Sequence, residues 1–200
     1  MAKKIILFRH GQIEKQYRMK FIGRTDAPLS EGGRRDIRKF QEYIKQNQDA
    51  YFLFSPLIRA QESFAIATKG LEVTSESDND LMEVGFGEWE NLGFMDIADS
   101  YPQPYHGWIE WDPNFTYPRG ESHQNLLKRI KRCAAKLKAI PHETVIVFTH
   151  GGPVRFLLCE LMGLAPEHYL AFKVLRGSRT ILDVSGHVGI LEEINFKYPE

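Results

Sequence analysis

Twice in this chain an apolar run stops at a histidine followed by glycine. Ile5-Ile6-Leu7-Phe8 gives way to Arg9-His10-Gly11, and Val145-Ile146-Val147-Phe148 gives way to Thr149-His150-Gly151-Gly152. Short unbroken apolar runs of this kind suit strands buried on both faces, which occur in parallel sheets covered by helices. The glycine lets backbone or ligand come close to the imidazole. Taken alone, each tripeptide reads equally as a strand followed by a turn or as a reactive side chain delivered to a sheet edge.

The segments between these runs supply the helices. Residues 11–26 read as a long polar loop, and Ser30 caps a helix in which Ile37, Phe40 and Ile44 recur at helical spacing, ending near Asn47. Tyr51 to Phe54 is a second buried strand, and Ser55-Pro56 turns the chain into a helix carrying Arg59 in its first turn and Ala60, Phe64 and Ala67 on its apolar face, closed by Gly70. Leu71 to Val73 reads as a short strand. Residues 81–90 mix apolar residues, acids and glycines with neither period, which marks a functional loop. Residues 91–117 interleave Tyr101, Tyr105, Trp108, Trp111, Phe115 and Tyr117 with three prolines, as an insertion or lid would, or as a small satellite core would. Leu126, Ile130, Cys133 and Leu137 stripe a helix over 121–139 whose other faces are basic and solvated, and Val154 to Met162 is an apolar helix stopped by Gly163. Ala171 to Leu175, Thr180 to Val184 and 189–196 read as strands, with 185–188 as a hairpin turn.

Alternating strands and helices imply a three-layer α/β/α fold: a mostly parallel sheet with right-handed crossovers and helices on both faces. With 42% hydrophobic and 26% charged residues, the 200-residue chain is expected to form a single domain, 1–200, with 91–117 as the excursion. The 26 basic residues balance 26 acidic ones, so no global field draws nucleic acid or an anionic membrane, and anion recognition must be local. Cys133 and Cys159 are too few for a disulfide framework and read as reduced packing residues. Met1-Ala2-Lys3-Lys4 enters a strand without the apolar region of a signal peptide, and no run reaches membrane-spanning length, which gives the expectation of a cytoplasmic protein.

Ligands bind such sheets at the carboxyl ends of their strands. That rule gathers Arg9 and His10, Arg59, and His150 with Gly151. Each alone could be a surface cation or a hydrogen-bonded histidine, but together they would be costly without an anion. Two guanidiniums grip oxygens bidentately, a helix starting after Gly151 adds donors and a positive dipole end, and a phosphoryl dianion matches that set. A neutral imidazole can accept the phosphoryl group in line without a metal or other cofactor. The leaving group then needs a proton, for which Glu83, Glu88 and Glu90 are all available; spacing does not choose among them. Two other classes remain at this point: a non-catalytic phosphate-binding module, and a hydrolase in which His10 and His150 are metal ligands.

These residues resemble the histidine phosphatases, the phosphoglycerate mutase-like superfamily. The resemblance runs through Arg9-His10-Gly11, Gly23 to Leu29, Ser55 to Ala60, Glu83 to Glu90, Pro118 to Ser122 and Thr149-His150-Gly151. It implies His10 as nucleophile, Arg9, Arg59 and His150 as phosphoryl ligands, Glu83 as proton donor and a supporting Gly151 backbone. Ile13 and Gln16 stand where a threonine and an asparagine are usual, so Gln16 is carried only as a candidate phosphate contact. Arg24, Trp108 and Trp111 are candidate substrate contacts. The short span from 91 to 117, where mutases of this superfamily carry a longer insertion, favours hydrolysis over phosphotransfer to a sugar acid. Phe86 to Glu90 with Trp108 and Trp111 looks like the alpha-ribazole phosphatases of cobalamin biosynthesis. The expected partner is a small phosphorylated substrate, with no nucleic acid or membrane, for a monomer or homodimer.

Overall fold

The computed structural model describes residues 3–199. The Met1-Ala2 start of the N-terminal stretch lies outside them. Strand β1 (Lys4–Arg9) has neighbours on both sides: β4 (Thr144–Thr149) runs parallel to it and β5 (Arg179–Asp183) antiparallel. Beyond β4 lie β2 (Tyr51–Phe54) and β3 (Thr74–Ser77), and beyond β5 lies β6 (Ile190–Phe196), giving the order β3-β2-β4-β1-β5-β6. The first four of these are mutually parallel, so the sheet is mixed and mostly parallel.

Successive side chains on a strand point to opposite faces, which splits the apolar runs into two cores. Ile5, Leu7, Val145 and Val147 face one layer, helices α6 (His123–Ala139) and α7 (Gly151–Met162). Ile6, Phe8, Ile146 and Phe148 face the other, α1 (Glu31–Arg38), α2 (Gln41–Gln46) and α3 (Ile58–Ala67). Phe8 stacks on Phe148 with centroids 4.9 Å apart. In register, Arg9 pairs with Thr149, so the two histidines that follow emerge side by side; the His10 amide donates to the Thr149 carbonyl at 2.9 Å.

Several elements differ from the sequence expectation. The helix expected to reach Asn47 is broken after Arg38, where Phe40 donates to Ile37 in a tighter turn and sets its ring 5.0 Å from Phe8 in an edge-on contact. Leu71 and Val73 pack against the second core, and strand pairing starts later, at Thr74, on an exposed sheet edge that needs no apolar side chains. The strand expected over 171–175 does not form: Pro166–Ala171 is a 3-10 turn, and the chain stays irregular to Arg179, where the Val174 carbonyl serves Arg9 instead of a ladder.

The 91–117 segment contains two short helices, α4 (Phe94–Ser100) and α5 (Pro102–Ile109). Its aromatic residues gather around Trp89, which is fully buried, with Trp108 at 5.9 Å, Phe115 at 5.8 Å and Tyr117 at 5.2 Å. Cys133 and Cys159 are free and buried, and burial pushes their thiols up to about 12 and about 11. Among the described residues no helix is long and apolar enough to cross a membrane.

Candidate active site

Arg9, His10, Arg59, Glu83, Gly151 and Gly152 line one cavity of about 260 Å³ at the carboxyl ends of β1, β2 and β4. His10 is buried, and its Nδ1 lies 2.8 Å from the Gly11 carbonyl oxygen. A carbonyl only accepts, so Nδ1 carries the proton and Nε2 keeps its lone pair. Burial, then Arg59 and Arg9, pushes the His10 pKa well below the ordinary value, which holds the ring neutral.

Arg59 is 1% exposed and is held by the loop before α1: it donates to the carbonyls of Thr25 (2.9 Å), Gly23 (2.7 Å) and Ile22 (3.2 Å). Glu90 fixes that loop by accepting from the amides of Gly23, Arg24 and Thr25 and from the Thr25 hydroxyl. Arg9 donates to Val174 at 2.6 Å, and its Nε has no partner among the described residues. Burial, with Arg176 next in effect, pushes Arg9 down to about 9, and burial pushes Arg59 down to about 10 against the pull of Glu83. Both are protonated at neutral pH. They are cations held at a cost that an anion would offset.

The paired glycines after His150 have separate uses. A Cβ on Gly151 would sit 3.0 Å from the Arg9 guanidinium carbon, and one on Gly152 would come 2.3 Å from Glu83 Oε1. Only glycine lets both side chains lie against the start of α7. Glu83 accepts there from the Gly152 amide at 3.1 and 3.2 Å, and from its neighbour Val84 at 3.0 Å. Its loop is braced from behind by Arg129, which donates to the carbonyls of Asp80, Met82 and Glu83 and pairs with Glu121. The three acids thus part company: Glu83 faces the cavity, Glu90 builds the Arg59 cradle, and exposed Glu88 faces Arg119 at 3.5 Å. Of the three acids offered as proton donors, Glu90 is committed to the amides of Gly23, Arg24 and Thr25 instead.

His150 is fully buried beneath the cavity, its ring centroid 5.2 Å from that of His10. Its Nε2 meets Ser55 Oγ at 2.7 Å, and its Nδ1 has no partner among the described residues. Burial, then Arg59 and His10, pushes its pKa well below the ordinary value. Among the described residues no three His, Cys, Asp or Glu side chains gather as a ligand set, so the two imidazoles are not joined by a third such group.

Three of the expected contacts lie elsewhere. Gln16 is exposed on the 3-10 turn Lys15–Tyr17, because the bridge from Ile13 to Leu29 buries Ile13 and turns the loop outward. Arg24 is drawn 3.8 Å from Glu121 and lines a separate depression. Trp111 is stacked on His123 at 4.4 Å, behind the lining. Trp108 does line the cavity, with Phe21, Phe86, Tyr117, Phe156 and Tyr169. Sequence reasoning missed Arg155 and Arg176, which line it too. Arg155 stands one helical turn beyond Gly151 and could have been found by that spacing.

A family model of the histidine phosphatase superfamily (branch 1) matches residues 5–197, and the chain belongs to that superfamily. It is 32% identical to a bifunctional protein of Mycobacterium tuberculosis (strain ATCC 25618 / H37Rv) over 158 residues, 78% of this chain and 43% of that protein. This chain therefore spans less than half the length of that relative. Similarity to an uncharacterized phosphatase of Bacillus subtilis (strain 168) is 29% over 164 residues, 82% of this chain and 79% of that one. The fold superposes on the alpha-ribazole phosphatase from Shigella flexneri with a TM-score of 0.87 at 22% identity, over 96% of each chain.

Proposed function

We propose that the chain is a phosphomonoesterase working through a phosphohistidine on His10. The observation that carries this reading is the tautomer: Nδ1 is committed to the Gly11 carbonyl, leaving an unprotonated Nε2 in a cavity shared with two buried guanidiniums. Nε2 attacks phosphorus in line, the bond to the leaving oxygen breaks, and the carboxylic acid form of Glu83 gives that oxygen its proton. Arg9 and Arg59 hold the equatorial oxygens, with His150 Nδ1 beneath them and the Gly151 backbone at the start of α7. In the second half the Glu83 carboxylate takes a proton from water, the water oxygen attacks phosphorus, and the P–N bond breaks to release inorganic phosphate and restore Nε2.

The aromatic side of the cavity supports a small phosphorylated metabolite with a flat or aromatic leaving group, and alpha-ribazole 5'-phosphate is the specific candidate. The short 91–117 span supports water, rather than a second sugar acid, as acceptor. The test is release of phosphate from a generic aryl phosphate between pH 5 and 8. His10→Ala is expected to lose on the order of 10⁴-fold or more in kcat, as losses of a covalent nucleophile do. Equal near-zero release by both proteins would sink the reading.

A further inference from the structure

Resting on that reading of the cavity, we propose that Arg176 is a third guanidinium for the transferring phosphoryl group, supplied from the irregular segment between α7 and β5. The loop after Gly11 is turned away from the cavity at Gln16 and lines it with Ile13, Lys20, Phe21 and Ile22, none of them a guanidinium. The opposite segment, 173–178, supplies a guanidinium, and three sets of hydrogen bonds fix its course.

Gly177 donates to the carbonyls of both Arg9 (3.1 Å) and His10 (2.8 Å), and Arg9 donates back to Ser178 at 3.1 Å. This staples the segment to the end of β1. Gly177 has φ +65, and a Cβ there would lie 3.7 Å from the Gly11 Cα, so the crossing is made where glycine's left-handed backbone is needed. Asn195 of β6 closes the other side, accepting from Leu175 at 2.7 Å and from the Ser178 hydroxyl at 3.3 Å, and donating to the Lys173 carbonyl. Arg176 stands at the centre of this frame and lines the cavity.

Its side chain makes no hydrogen bond or ion pair among the described residues, and its Nε is buried without a partner. It lines the same cavity as the reacting groups, its charge lowers the pKa of Arg9, His10 and Arg59, and Glu83 is the charge that favours its own protonated form. A half-buried guanidinium held beside other cations, in a frame pinned at both ends, is organised for an anion.

The test compares wild type, Arg176→Gln and Arg176→Lys by calorimetric titration with inorganic phosphate and by orthovanadate inhibition of aryl phosphate hydrolysis. For Arg176→Gln, affinity for both oxyanions is expected to fall about 10- to 100-fold, the range of one charge-assisted hydrogen-bonding group. Arg176→Lys should recover part of it, which a purely structural role would not predict. Unchanged phosphate and vanadate binding in Arg176→Gln, with a raised KM only, would place the residue on the leaving group and overturn the assignment. Loss of phosphate affinity in the variant, with a wild type that binds phosphate but turns over nothing, would keep the assignment and remove the phosphatase reading. A wild type that binds neither oxyanion removes both.

Discussion

The cavity has two sides made in opposite ways. Its floor is assembled from the ends of three strands and the start of α7, with Arg9, Arg59 and Glu83 each held by backbone carbonyls or amides. Its wall is made of Phe21 and side chains from 86–117 and 156–170 that contact one another mainly as aromatic rings, such as Phe21 against Trp108 at 5.5 Å and Phe156 on Tyr169 at 4.5 Å. The floor is therefore preorganised for one chemical group. The wall offers area and shape, which suits recognition of whatever that group is attached to.

The largest expected effect is on the wall. Trp89→Ala removes the ring around which it packs and should cost about 3–5 kcal/mol of folding stability, measured by urea denaturation. A loss under about 1 kcal/mol would mean that the wall has no core of its own. Acid should act on the floor instead. His10 and His150 are neutral when folded, with pKa values pushed well below 6.5, whereas in the unfolded chain they take up protons near 6.5. The unfolded state thus binds more protons once the pH drops below about 6.5, so stability is level above that point and falls from there toward the folded-state values. With two groups, the slope approaches about 2.7 kcal/mol per pH unit. Urea midpoints at pH 7 and pH 5 measure it, and a double His10→Asn, His150→Asn variant should flatten the difference. Nε2 meanwhile stays free below the pH at which an ordinary imidazole takes up its proton, so mild acid does not block the nucleophile as it would a solvated histidine. The smallest effect belongs to Trp108→Phe, expected to raise KM for aryl phosphates a few-fold while leaving orthovanadate inhibition and short alkyl phosphates unchanged. A comparable change in vanadate inhibition would erase the division between wall and floor.

The floor was legible because its chemistry sits at strand ends, where apolar runs stop at named polar residues and the parallel register aligns them. His10 and His150 are neighbours for the same reason that Leu7 pairs with Val147. Glu90 and Arg176 were not legible. Glu90 works through amides 65 to 67 residues away, and Arg176 is placed by hydrogen bonds from Gly177 and Asn195, neither of which leaves a period in the sequence. The aromatic excursion offered two readings, satellite core or substrate contact, and its residues divide by position. Phe115 and Trp111 pack inward, while Trp108 and Tyr117 reach the cavity.

The chain has three tryptophans, and all of them, Trp89, Trp108 and Trp111, belong to that excursion or its edge. Tryptophan fluorescence of this protein is thus a private channel to one side of the cavity. The sheet and the cationic floor contribute no indole emission, while a guest against Trp108 touches an indole whose centroid is 5.9 Å from that of Trp89. Emission and far-ultraviolet dichroism, recorded together, separate events at the wall from events in the sheet without any added label.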